Sequence, residues 1–376
     1  MTDGDRATSP RGRAGAEGSP DSPERPLGTN PSPPGQTGRA AREPGTISTM
    51  TRTVRFAELG GPSVLEVTEV DDPVPGPGEL VVDVAAIGLN RAESMFRQGT
   101  YIEETRLPAG LGYECSGTVS AVGEPGRFAV GDRVSVVPGF SMNDYSVYAD
   151  RALVPARAVV PLPEETSWVD GAAVWMPFLV GYGGLVETGG LKAGDHVLIT
   201  AATSSVGLAA MAVARRVGAV PIATSRSSSK AQQLLDAGAA YVIATGSEDM
   251  VDRVLQITGG RGVEHVFDAV AGPGVADLCR ATAKGGIVTI HGLLSGQPTI
   301  FPAETLPDLW MRSYTLFAMT HDEERLRRAG EFVGAGLRSG DFAPQVDRVF
   351  SGLDTIVEAH EYLESNVQVG KIVVTP

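Results

Sequence analysis

The chain has 376 residues, 42% of them hydrophobic, which is enough to bury a sizeable core and to build more than one domain. A formal net charge of −14 argues against binding nucleic acid or an anionic membrane through the overall field, although a local basic pocket stays open. Cys115 and Cys279, far apart in sequence, exclude a disulfide framework and fit a reducing, cytoplasmic setting. No apolar run is long enough for a transmembrane helix, and the N-terminus lacks the apolar core of a secretory signal.

Residues 1–49 are rich in Pro, Gly, Ser, Thr and Arg, carry no aromatic residue and show no period, so they are expected to be a disordered tail. Met50 opens the first patterned segment and is a candidate start of translation. From Val54 to about Val174 short apolar runs, 64–70, 80–90 and 116–123, alternate with Gly/Pro-rich turns. They predict a β-rich, barrel-like domain without long helices, whose loops carry function.

From Trp175 to about Phe317 strands alternate with helices: 220–225, 241–245, 263–270 and 287–294 read as strands, and 227–239, 248–260 and 275–286 as helices. This alternation predicts an α/β, doubly wound parallel sheet with nucleotide at the carboxyl ends of its strands. A further strand near Tyr314 to Met319, a helix over 323–340 and a closing strand at Lys371–Val374 follow, the last returning to the first domain. The first βα turn of the sheet, AATSSVG at 201–207, keeps only the final glycine of a G-x-G-x-x-G, with Ala202 and Ser204 in the other two places. It reads as a pyrophosphate turn at a helix N-terminus or as an ordinary capped helix start.

Together, GYECSGTVSAVG (112–123), GDRV (131–134), the turn at 201–207 and VGKIVV (369–374) resemble the medium-chain dehydrogenase/reductase superfamily. The chain is most similar to its zinc-independent quinone oxidoreductase branch. The resemblance spans residues 50–376 and implies a GroES-like β-rich catalytic domain, 50–174 and 318–376, with a Rossmann NADP-binding domain, 175–317, inserted between its parts. Asn90, Tyr113 and Met176 stand where zinc members carry ligands, and none supplies a thiolate or imidazole, so no catalytic metal is expected. A homodimer or homotetramer is also implied.

The second strand of the sheet ends Thr224-Ser225-Arg226, with serines and Lys230 following and no carboxylate before Asp236. This pattern favours a 2′-phosphate, hence NADPH, over the free ribose hydroxyls of NADH. Expected cofactor-binding residues are Ser204, Ser205, Val206, Gly207, Ser225, Arg226, Lys230, His291, Gly292 and Lys371. Asn90 and Tyr113 are the catalytic candidates, and Arg91, Tyr145, Trp175 and Met176 the substrate-pocket ones. The resulting expectation is hydride transfer from NADPH to a quinone or α,β-unsaturated carbonyl, a small-molecule substrate. An enoyl-thioester reductase of lipid or polyketide synthesis and a non-catalytic nucleotide-binding protein are the alternatives.

Overall fold

The computed structural model describes residues 50–305 and 308–376. The expected tail and the question of the start at Met50 fall in residues 1–49, outside the described residues. Strands β1 (Met50–Phe56), β2 (Glu66–Asp71) and β3 (Glu79–Leu89) are followed by helix α1 (Arg91–Arg97), then β4 (Ala109–Gly110), β5 (Glu114–Val122), β6 (Arg133–Val136), β7 (Arg151–Pro155) and β8 (Val159–Pro161). All the pairings among them are antiparallel, β3 against both β5 and β7. The β-rich reading therefore holds, with one correction. Helix α1 interrupts it, because Asn90 and Glu93 supply a helix start that the strand pattern concealed.

Short helices α2 (Trp168–Gly171) and α3 (Trp175–Gly181) lead through a π-helical turn, Tyr182–Glu187, into a second sheet. Its elements are β9 (His196–Ile199), α4 (Ser205–Val217), β10 (Val220–Ser225), α5 (Ala231–Asp236), β11 (Tyr241–Ala244), α6 (Met250–Ile257), β12 (Val263–Asp268), α7 (Val275–Ala281), β13 (Thr282–Ile290) and β14 (Trp310–Ser313). Its order, β11-β10-β9-β12-β13-β14, is parallel throughout and reverses direction between β9 and β12. That is the doubly wound dinucleotide-binding order. Val197, Leu198 and Ile199 are fully buried because this central strand is covered on both faces.

Three element boundaries differ from expectation. Helix α7 stops at Ala281 and residues 282–286 begin β13, since Gly285 and Gly286 carry no helix-stabilising side chain. The last parallel strand is 310–313, while Phe317–Thr320 forms helix α8, where the apolar run hides its period. Helix α5 is shorter than expected, with a 3₁₀ turn at 228–230.

After α9 (Glu323–Ser339) come β15 (Val346–Ser351), α10 (Ile356–Ser365) and β16 (Lys371–Thr375). Strand β16 pairs antiparallel with β3 and parallel with β15, so the chain ends inside the first sheet, as expected. The sequence reading omitted β15, whose alternate positions are mostly exposed.

Candidate active site

The carboxyl ends of the parallel strands form the first part of the site. Ser204 caps α4, its hydroxyl accepting a hydrogen bond from Gly207 N at 3.0 Å. The amide of Val206, in the same first turn, has no carbonyl partner within the helix. A Cβ on Gly207 would lie 2.6 to 2.8 Å from backbone atoms of Ala202 and Ala201, so only glycine lets the helix start this close to the turn. At the point where strand order reverses, buried Asp268 accepts from Thr200 Oγ1 at 2.6 Å and from the amides of Val270 and Ala271 at 3.0 and 2.8 Å. This carboxylate fixes the ends of β9 and β12 together, a role the sequence did not disclose. His291 stacks on Phe267 with ring centroids 3.9 Å apart, and desolvation pushes its pKa down to about 3, so the ring is neutral. Beside it, a Cβ on Gly292 would lie 2.6 Å from Ala269 O.

At the end of β10, Ser225 is half-buried and Arg226 is exposed, with no side-chain partner for its guanidinium among the described residues. Ser227 caps the turn that follows, accepting from Ser229 N at 3.1 Å. Lys230 is placed differently from expectation. Its ammonium donates to the carbonyl oxygens of Asn366, Val367 and Gln368 at 3.4, 2.9 and 3.1 Å. All three of its donors are spent on the loop between α10 and β16. A carboxylate not foreseen there, Asp347 on β15, lies near enough to act on this ammonium and receives Val369 N at 3.1 Å.

Where β3, β5, α3 and β16 meet, a charged cluster is buried. Lys371 Nζ donates at 2.6 Å both to Asn90 Oδ1 and to Glu114 Oε2, and these three side chains, with Glu93, are all buried. Glu114 Oε1 accepts from the amides of Trp175 and Met176 at 2.7 and 2.9 Å, tying the first turn of α3 to β5. The carboxylate of Glu93 accepts from Asn90 N, from Asn90 Nδ2 at 3.2 Å and from Tyr113 N at 3.3 Å. Burial pushes Glu93 up to about 7, against the opposing pull of Lys371 and these donors. Gly88 makes room for the lysine: a Cβ there would lie 1.9 Å from Ala172 O and 2.8 Å from Lys371 Cε.

The cluster brings together Asn90 and Tyr113, expected to be catalytic, Trp175 and Met176, expected in the substrate pocket, and Lys371, expected at the cofactor. Both N–H groups of the Asn90 amide are used, on Gly88 O and Glu93, and its oxygen is held by the ammonium. The polar atoms of Asn90 are thus all engaged within the protein. Tyr113 is fully buried, and its hydroxyl makes no hydrogen bond of ordinary geometry among the described residues, although the Tyr101 hydroxyl is near enough to act on it; the Trp175 indole N–H has no partner there either. Rings surround the phenol: Tyr101, Phe140 and Phe317 lie 6.3, 5.7 and 5.7 Å from Tyr113 between centroids. Burial raises the pKa of Tyr113, and that of Tyr101 to about 12, so both remain protonated donors at neutral pH.

Arg91 and Tyr145 direct their polar groups elsewhere. Arg91 donates to Leu363 O at 2.7 Å and Asn366 Oδ1 at 2.8 Å, at the end of α10. Tyr145 donates to Glu79 at 2.7 Å, and only its ring, 5.8 Å from Phe140, borders the aromatic wall.

The zinc-binding dehydrogenase family model matches residues 205–337, and the alcohol dehydrogenase GroES-like domain model matches residues 76–164. The quinone oxidoreductase of Pseudomonas aeruginosa is 31% identical over 331 residues, 87% of this chain and 100% of that protein. The chain belongs to the medium-chain dehydrogenase/reductase superfamily, in its quinone oxidoreductase-like branch. Among solved relatives of that branch, Escherichia coli quinone oxidoreductase complexed with NADPH superposes with a TM-score of 0.80 at 30% identity, covering 87% of this chain and 100% of that one. A mycobacterial protein complexed with NADPH gives 0.80 at 29% identity, with the same coverage.

The donor set of this member does not fit the zinc named in the family description. No group of three or more His, Cys, Asp or Glu side chains able to hold a metal occurs among the described residues. The buried acceptors of the cluster, Glu114 Oε2 and Asn90 Oδ1, already hold an ammonium. The turn and the β10 end do fit a dinucleotide phosphate. They offer a helix N-terminus, an unengaged guanidinium and hydroxyls, and β10 itself ends without a carboxylate, Asp347 lying beside Lys230. No helix among the described residues is long and apolar enough to cross a membrane.

Proposed function

We propose that the chain is an NADPH-dependent, zinc-independent reductase acting on a quinone or another α,β-unsaturated carbonyl. The observation that carries this reading is the buried Tyr113 hydroxyl, which makes no hydrogen bond of ordinary geometry and has only the Tyr101 hydroxyl near it, inside an aromatic wall and one residue from the Glu114 carboxylate that anchors α3. A buried donor without an acceptor is costly unless a ligand supplies one. An oxygen that gains negative charge during reduction is such an acceptor.

NADPH supplies the hydride. The N-terminal turn of α4, Ser204 to Gly207, holds the pyrophosphate in this reading, with Ser225 and Arg226 at the adenosine end and His291 and Gly292 beside the nicotinamide. Trp175 and Met176 line the substrate side, and the Tyr113 phenol and Trp175 indole donate to the substrate oxygen. In this reading residues 50–174 with 318–376 are the catalytic part and 175–317 the nucleotide-binding part.

Rapid mixing of the NADPH-loaded enzyme with quinones, enones and crotonyl thioesters tests the assignment. Oxidation of bound NADPH by quinones or enones is expected. Preference for the thioester would move the protein to acyl-chain reduction, and tight binding without oxidation would remove the catalytic role.

The same reading includes a homo-oligomer. Edge strand β14 has no partner on its outer side among the described residues, and Trp310 on it and Ile300 and Phe301 earlier in the chain are exposed. Apolar groups along an unpaired edge favour a second copy. Light scattering at micromolar concentration is expected to give at least a dimer, and a monomer would contradict this part.

A further inference from the structure

The loop joining α10 to β16, residues 366–370, has no regular structure of its own, yet its polar groups, and those of Lys371 at the start of β16, are tethered one after another. The carbonyls of 366–368 accept from Lys230. Val369 N donates to Asp347 Oδ1 at 3.1 Å, Gly370 N to Thr203 O at 3.0 Å, and Lys371 N to Gln345 O at 2.7 Å. Lys371 Nζ then ends in the buried cluster with Asn90 and Glu114. One stretch of six residues therefore touches the end of β10, the pyrophosphate turn and the cluster beneath the aromatic wall. It is also gripped from the other side, since Arg91 holds Leu363 O and Asn366 Oδ1. The carbonyls at a helix C-terminus are an attractive site for such cations.

We propose that Lys230 is a positioning residue for catalysis that acts by clasping residues 366–368, in addition to anything it contributes to a 2′-phosphate. The ammonium has three donors, and all three are committed to the loop, so a phosphate contact must displace at least one of them. Freed from the clasp, the loop loses the only side-chain cation that bridges it to the parallel sheet among the described residues. The position of Gly370 against Thr203, and of Lys371 against Asn90 and Glu114, then loosens. Small displacements of groups that set reacting geometry are costly to turnover.

This inference rests on the assignment of the site as an NAD(P)H reductase, but its first test does not. In Lys230→Met, without cofactor, the amides of Val369, Gly370 and Lys371 are expected to exchange with solvent faster than in the wild type, while those of Ile222 to Thr224 in β10 stay unchanged. In the second test, turnover is measured with NADH, which has no 2′-phosphate. The variant is expected to lose about tenfold or more in kcat with NADH, with KM for NADH within about twofold of the wild type.

If exchange and NADH turnover are both unchanged and only KM for NADPH rises, Lys230 is a phosphate contact alone and the clasp is refuted. Unchanged exchange is by itself sufficient to refute it. A wild-type enzyme that oxidises neither cofactor would overturn the reductase assignment instead, and the exchange comparison would then decide the clasp on its own.

Discussion

Lys371→Met is expected to destabilise the fold by about 3–5 kcal/mol, the usual result of removing one partner from a buried ion pair. Its ammonium and the Glu114 carboxylate are 1% and 0% exposed and lie 2.6 Å apart, so water cannot replace the lost charge. Glu114 keeps two amide donors from α3, but these do not neutralise a buried carboxylate. Asn90 loses the group that fixes its oxygen, and the first turn of α3 loses a firm anchor. Urea unfolding measures the effect. The double variant Lys371→Met/Glu114→Gln removes both charges together, and is expected to recover about half or more of the loss, because replacing a whole pair costs far less than orphaning one member. A single variant within about 0.5 kcal/mol of wild type would show that the pair does not organise this junction.

The parallel sheet was legible in the sequence because five of its six strands carry β-branched residues and alternate with helices, whereas β14, Trp310–Ser313, carries none and was missed. The run 220–225 coincides with β10. Boundaries were lost where one apolar stretch serves two elements, as at Ala281 to Gly286 and at Tyr314 to Met319. Gly207 alone left the turn at 201–207 open between a pyrophosphate turn and an ordinary capped helix start, and only the strands and helices around it favoured the first. The buried cluster was readable only in part. Asn90, Tyr113, Trp175, Met176 and Lys371 could be collected through the family resemblance, yet nothing in their spacing says that an ammonium joins two of them. That pairing spans 281 residues between Asn90 and Lys371. Long-range partners also explain the reassignment of Arg91, Tyr145 and Lys230. A cation or hydroxyl near a cleft in sequence was expected to face a ligand, whereas each has found an oxygen of the protein itself.

Arg226 is the exception among those cations, and the choice of cofactor depends on it. Its guanidinium is exposed and unengaged among the described residues at the end of β10, where a dinucleotide fold places the 2′ position of the adenosine ribose. A charge-assisted contact with phosphate contributes about 1.5–3 kcal/mol, or roughly 10- to 100-fold in affinity. Ribose hydroxyls gain little from the same group. Truncation should therefore act on one cofactor and spare the other, which a general loss of structure could not do.

Steady-state kcat/KM for NADPH and NADH, compared in wild type and Arg226→Ala, tests the central claim most directly. The wild type is expected to favour NADPH by about 10-fold or more, and the variant to lose most of that preference by a fall in kcat/KM for NADPH, with the NADH value changed by less than about twofold. A wild-type KM for NADH at or below that for NADPH would contradict the assignment of this site to NADPH.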